Sequence, residues 1–327
     1  MAESRTVVYG AIAGNVAIAV TKFIVAGITG SSSMLSEAIH SAVDTGNGLL
    51  LLVGMRLSER KPDVAHPFGY GRELYFWSLI VAILIFGIGG GMSIYEGVTH
   101  IRKPEPLTDP KWNYIVLAAA AVFEGISFAI GLHAVYQQKG SKSLWEGLHN
   151  SKDPGTFSVV GEDGAALAGL VLAALGVYAS HRLRMPELDG VASVAIGILL
   201  AGVAILLIYE SRGLLIGEGI DRKTAHAIRD MAQAEQSVKS AAFPLSMYLG
   251  PDEVLLTLDV EFDKSLSAEQ VSAAVRRIEG KIRCRYERIR RIYIESNPAE
   301  VRAQEARLAG NRSGQQKGSP NARHELH

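Results

Sequence analysis

The chain has 327 residues, 48% of them hydrophobic, and lysine plus arginine equals aspartate plus glutamate at 33 each. Balanced charge gives no electrostatic case for a nucleic-acid partner, and the single cysteine, Cys284, excludes an internal disulfide and a cysteine-built zinc site. A mean hydropathy of +0.17, with charge concentrated in connectors and after Tyr209, separates the chain from ordinary soluble proteins.

Six apolar segments follow one another, roughly Thr6 to Gly27, Ser33 to Met55, Tyr75 to Val98, Trp112 to Tyr136, Phe157 to Ser180 and Leu188 to Tyr209. A helix of ~20 residues crosses the hydrocarbon core. Lipid offers the backbone no hydrogen bonds, so each segment is predicted to be helical. The first follows Met-Ala-Glu-Ser-Arg and is too long for a signal-peptide core, so it is expected to be a retained span. An even number of spans places both termini on one side. Arg56, Arg60, Lys61, Arg72, Lys139, Lys142 and Lys152 fall on that side, against Arg102, Lys103, Lys111, Arg182 and Arg184 on the other. The excess predicts cytoplasmic termini, and the expected setting is a bacterial inner membrane.

After Tyr209 the texture changes. Arg222 to Val238 reads as an amphipathic helix, Ala241 to Gly250 and Val254 to Phe262 as strands, Ser267 to Arg283 as a helix with a capping box at Ser267 and Gln270, and Ile289 to Glu295 as a last strand. The order αββαβ predicts helices layered on a small antiparallel sheet. From Ala299 the chain is polar and is expected to be a disordered tail. The expected domains are therefore residues 1–212 in the membrane, 213–298 in the cytoplasm and 299–327 as tail.

The second span carries Glu37, His40, Asp44 and Asn47 at steps of three, four and three, which keeps them on one helical face. An ionisable group in a span costs at least ~2.5 kcal/mol, so such a stripe needs a partner. An imidazole and a carboxylate one turn apart suit a divalent transition metal; a polar stripe bonded to neighbouring helices is the plainer alternative. The fifth span opens with Glu162 and Asp163. Adjacent helical residues diverge by ~100°, so one of them is expected to face the site, Asp163 first and Glu162 second. The candidate site is His40, Asp44 and Asp163 with one of Glu162, Glu37 or water. Zinc accepts that set tetrahedrally; few nitrogens and no sulfur leave manganese, iron(II) and cobalt open.

Asn15 and Glu124 are also expected to be buried, Asn15 between helices and Glu124 as a second proton carrier beside His40. The loop from Asp63 to Glu73 offers Asp63 and His66 as an entrance site, while Pro67, Gly69 and Gly71 also read as a plain tight turn. Gly87, Gly89, Gly90 and Gly91 let helices approach closely.

Taken together, three stretches resemble the cation diffusion facilitators, a family of cation-efflux transporters. They are Gly30-Ser-Ser-Ser-Met-Leu-Ser-Glu-Ala-Ile-His40-Ser-Ala-Val-Asp44, His66-Pro-Phe-Gly-Tyr-Gly-Arg-Glu73 and Leu188-Asp-Gly-Val-Ala-Ser193. Leu249 to Val254 and Ile292 to Glu295 add the family's cytoplasmic part, so the resemblance covers roughly Thr6 to Pro298. It implies a homodimer, each subunit a six-helix transmembrane bundle with a ferredoxin-like cytoplasmic domain. It also implies a tetrahedral metal site between helices two and five with alternating access, and export of zinc or a related divalent ion in exchange for protons. His40 and Asp44 fall on the family's helix-two ligand positions and Asp163 on the second of helix five. The first, Val159, is not a ligand, and the Glu162-Asp163 pair resembles a divergent branch of the family. Tyr70 and Glu295 stand where other members carry histidine. Arg72 and Glu218 match places where subunits form a charge interlock. No cofactor is expected beyond the transported ion.

Two other classes compete. A channel or a non-transporting membrane subunit would keep the stripe without moving metal. A membrane hydrolase is disfavoured, since the chain has no Ser/His pairing or His-Glu-x-x-His motif.

Overall fold

The computed structural model describes residues 2–104, 111–138 and 154–296, in two compact units that divide after Gly217. The expected tail and the connector carrying Lys139, Lys142 and Lys152 lie outside the described residues.

The first unit is helical: α1 (Ala2–Thr29), α2 (Ser32–Ser58), α3 (Glu73–Leu84), α4 (Gly91–Arg102), α5 (Lys111–Gln138), α6 (Pro154–Leu183) and α7 (Glu187–Ile216). A π-helical turn, Ile85–Gly90, joins α3 to α4, so the third predicted span is one helix with a local widening in its glycine-rich stretch. Among the described residues, four helical stretches are long and apolar enough to cross a membrane: Glu73–Arg102, Lys111–His133, Val160–Leu183 and Glu187–Ile216. The helix α2 is not among them, because its serines, Glu37, His40, Asp44 and Asn47 dilute its apolar residues.

Local sequence sets the helix ends. Gly30 has φ +67, a left-handed turn that a residue with a Cβ rarely adopts. Ser31 follows as the N-cap of α2 and accepts from the Met34 amide at 3.1 Å. Beyond it, Asp189 of α7 accepts from Ser31 Oγ at 3.0 Å and from the Ser33 amide at 3.2 Å, and also bonds Ser33 Oγ. One carboxylate on α7 thus ties down the start of α2, where helix donors lack partners.

The glycines act as expected at some positions and not at others. A Cβ on Gly97 would sit 2.6 Å from the Gly190 carbonyl oxygen, and one on Gly197 would sit 2.8 Å from the Gly90 oxygen. The helices α4 and α7 therefore touch backbone to backbone. Gly87 has open space around it. Asn15, expected to be buried, is exposed on α1, one turn before Ala19 begins the described buried stripe.

The second unit contains α8 (Arg222–Gln233), β1 (Val238–Ala241), β2 (Leu245–Gly250), β3 (Glu253–Phe262), α9 (Ala268–Arg285) and β4 (Ile289–Ser296). Asp221 caps α8, and Ser267 with Gln270 forms the predicted capping box on α9. The predicted strand over Ala241 to Gly250 is two pieces. Ala241 pairs with Val260 and Leu245 with Thr257, both antiparallel to β3, and Pro244, which has no amide hydrogen, lies in the gap. Helix α8 ends at Gln233 rather than Val238, and β1 takes the last of those residues.

The predicted antiparallel sheet is corrected at its far side. Strand β4 runs parallel to β3, with Leu256 opposite Ile292, because α9 carries the chain back before β4 starts. Burial alternates residue by residue along β3, which places Leu256, Leu258 and Val260 in a core with Ile278 and Ile282 of α9 and Ile228 of α8.

Candidate metal centre

The polar stripe of α2 faces inward. Glu37, His40 and Asn47 are buried, and His40 Nε2 lies 3.4 Å from Asp44 Oδ2. The two side chains thus lie next to each other one helical turn apart, without a hydrogen bond between them. Asn47 Nδ2 donates to Glu162 Oε2 at 3.4 Å, which joins α2 to the start of α6.

The two carboxylates of α6 diverge, as adjacent helical positions must. Glu162 is the buried one and turns toward α2, whereas Asp163 is half-buried and accepts from Ser127 Oγ of α5 at 2.6 Å. Glu124, half-buried on α5, lies one turn before Ser127. Glu162, Glu124, Lys22 and Asp163 all lie within electrostatic reach of Asp44.

Several buried polar atoms here have no hydrogen-bond partner: Glu37 Oε1, both ring nitrogens of His40, Asp44 Oδ1, Asn47 Oδ1 and Glu162 Oε1. Buried polar groups are nearly always satisfied, and this set of nitrogen and oxygen donors is the kind a divalent cation takes. Among the described residues no three His, Cys, Asp or Glu side chains already stand together at metal-binding distance. The side chain of Val159 lies outside the described residues.

Sequence reasoning missed Lys22. Its Nζ donates to Glu37 Oε2 at 3.1 Å and to Ser41 Oγ at 2.7 Å, with both charged side chains wholly buried. The signal was a lone lysine inside the first apolar segment, which needs an acidic partner as much as the stripe needs a cation.

The loop after α2 organises itself. Asp63 accepts from the His66 amide and from the Tyr70 hydroxyl, each at 2.7 Å, and His66 stacks on Tyr70 with ring centroids 4.3 Å apart. The Tyr70 hydroxyl, followed by the loop amide, holds the Asp63 carboxyl below its ordinary range. His66 Nδ1 is 3.5 Å from Asp63 Oδ1, and both residues are exposed. Both Asp63 oxygens thus serve the turn.

Residues 8–216 match the profile of the cation efflux transmembrane domain, which is well over half of the chain. The chain belongs to the cation efflux family. The family consists of membrane transporters rather than enzymes, and with the four apolar helices this makes the chain an integral membrane protein. The chain is 33% identical over 237 residues to a proton-coupled zinc antiporter, SLC30A9, of Xenopus laevis, covering 72% of this chain and 42% of that protein. Metal tolerance protein C4 of Arabidopsis thaliana is 31% identical over 248 residues, 74% of this chain and 53% of that protein. The chain thus spans about half the length of these two relatives. The magnetosome protein MamM of Paramagnetospirillum magneticum is 25% identical over 306 residues, 91% of this chain and 89% of that protein.

Proposed function

We propose that the chain exports a divalent transition-metal cation, zinc first, from the cytoplasm in exchange for protons. The observation that carries this reading is the set of buried ligand atoms on α2 and α6 without a hydrogen-bond partner, namely the ring nitrogens of His40, Asp44 Oδ1, Asn47 Oδ1 and Glu162 Oε1, with Asn47 Nδ2 and Glu162 Oε2 joining the two helices. The relative named as a proton-coupled zinc antiporter supports zinc and proton exchange, and the one named as a metal tolerance protein supports a metal cargo. Manganese, iron(II) and cobalt suit the same ligand types.

In this scheme His40 and Asp44 supply the α2 ligands and the Glu162-Asp163 pair the α6 ligands. Glu162 takes the place that a ligand at Val159 would fill. A small movement of α2 against α6 gathers these groups around the ion, and rocking of the same helices opens the site to either side. Metal binding needs deprotonated carboxylates and a neutral imidazole. Protons arriving from outside therefore expel the ion and are carried inward by the same side chains, with Glu124 as a further acceptor. Helices α1 and α2 complete a six-span bundle, α2 being tolerated in lipid because its stripe faces protein. The second unit is a ferredoxin-like domain in the cytoplasm, where both termini lie. Two such chains form a homodimer with Arg72 and Glu218 in a charge interlock, in a bacterial inner membrane.

The test is zinc flux into proteoliposomes under an imposed pH gradient. Saturable uptake that follows the gradient and collapses in Asp44→Ala is expected. Uptake unchanged by that substitution contradicts the assigned site.

A further inference from the structure

Lys22 is the one lysine or arginine buried among the described residues, and it lies in the membrane unit. An ammonium there persists only with a partner. Lys22 Nζ has two, Glu37 Oε2 at 3.1 Å and Ser41 Oγ at 2.7 Å. Ser41 directly follows His40, and Glu37 precedes His40 by one turn on the same face. The ammonium thus sits beside the candidate ligands without being one of them.

Glu37 is confined on its other side as well. Its Oε1 lies against Gly169 of α6, where any Cβ would overlap it. Lys22 engages Oε2 alone, so Oε1, which has no hydrogen-bond partner, is held in place by the ion pair and by the bare backbone at Gly169. Its charge is cancelled locally by a cation that cannot diffuse away.

We infer that Lys22 is a positioning residue that keeps Glu37 out of the ligand set of the transported cation. The inference rests on the transport reading of His40, Asp44 and the α6 carboxylates. Affinity for a divalent ion rises with the number of anionic ligands. A carboxylate released one turn from His40 would be one ligand more, and removing the ammonium would also remove a positive charge that opposes the ion. Lys22 therefore holds affinity low enough for the cargo to leave.

The test is isothermal titration of zinc into the purified full chain as wild type, Lys22→Met, Lys22→Arg, the double variant Lys22→Met with Glu37→Gln, and Asp44→Ala. In Lys22→Met zinc binds about tenfold more tightly or better, the scale on which residues behind a metal ligand act, and zinc flux falls as release slows. Lys22→Arg and the double variant bind at the wild-type value. An unchanged affinity in folded Lys22→Met overturns the inference and leaves the pair as a structural prop. Should Lys22→Met not fold, Lys22→Gln, which is polar but uncharged, is titrated in its place: zinc bound about tenfold more tightly supports the inference and wild-type affinity overturns it. A tenfold loss in the double variant makes Glu37 itself a ligand and also overturns it. Asp44→Ala separates the two readings: zinc binding at wild-type strength in that variant rejects the transport site whatever Lys22 does.

Discussion

The side-chain amide of Asn47 on α2 reaches Glu162 on α6 at 3.4 Å, while its own Oδ1 has no partner. This contact spans the two helices that the metal scheme requires to cooperate. In the proposed scheme it favours Glu162 over Asp163, the carboxylate that the sequence puts first, because Asp163 is engaged with Ser127 of α5. Glu162→Gln is expected to abolish saturable zinc uptake in proteoliposomes, and Asp163→Asn to weaken it less. The reverse order would mean that Asp163 swings to the site and that Glu162 is only a partner of Asn47.

Asp189 holds the start of α2 through Ser31 and Ser33. Hydrogen bonds to a charged group contribute about 1.5–3 kcal/mol, and Asp189→Ala would leave the buried Ser33 amide without its carboxylate. A lower thermal midpoint in detergent is expected for that variant. Asp189→Asn, which can still accept from the Ser33 amide, should recover part of the loss.

The contact between α4 and α7 depends on absent side chains. Gly97→Ala would drive a methyl into the Gly190 carbonyl, 2.6 Å from the new Cβ, whereas Gly87→Ala meets open space. Overpacking of this kind costs about 1–3 kcal/mol. A reduced folded yield and thermal midpoint are expected for Gly97→Ala and wild-type values for Gly87→Ala, measured by size-exclusion chromatography of heated detergent extracts. Equal behaviour of the two variants would show that the helices can part without loss.

Glu235, at the end of α8, accepts from Lys281 Nζ and Arg277 Nε of α9, each at 2.9 Å. The Lys281 hydrogen bond, followed by that of Arg277, holds its carboxyl below the ordinary glutamate range. A depressed native value means that the stabilisation is complete above the unfolded pKa of about 4.3. It is lost as pH falls through the lower native value. Hydrogen exchange in α9, corrected for its intrinsic rate, should accelerate on acidification in the wild type. In Glu235→Gln that additional acid dependence should be absent.

How far the sequence could be read depended on how local each signal was. The stripe of Glu37, His40, Asp44 and Asn47 is legible because helical spacing alone puts those residues on one face, and His40 and Asp44 do lie side by side. The capping box at Ser267 and Gln270 was equally local. Lys22 is visible in the sequence as a lone lysine in an apolar segment, but its partner lies on another helix, so the spacing does not identify Glu37 as that partner. The direction of β4 was misread for a similar reason, since a parallel pairing depends on where α9 returns the chain. The break at Pro244 had a local cause and was readable from proline chemistry, but it was absorbed into one long strand. Asn15 shows the opposite failure, a polar residue in an apolar segment that turned out to be exposed.

If α2 and α6 share one cation, anomalous X-ray scattering at the zinc edge from zinc-loaded crystals will locate it. A single strong peak is expected in the membrane unit, bounded by His40, Asp44 and the Glu162-Asp163 pair, with its loss in Asp44→Ala. A zinc-loaded protein with no peak there, its ion held instead at Asp63 and His66 or in the second unit, would contradict a cation shared by α2 and α6.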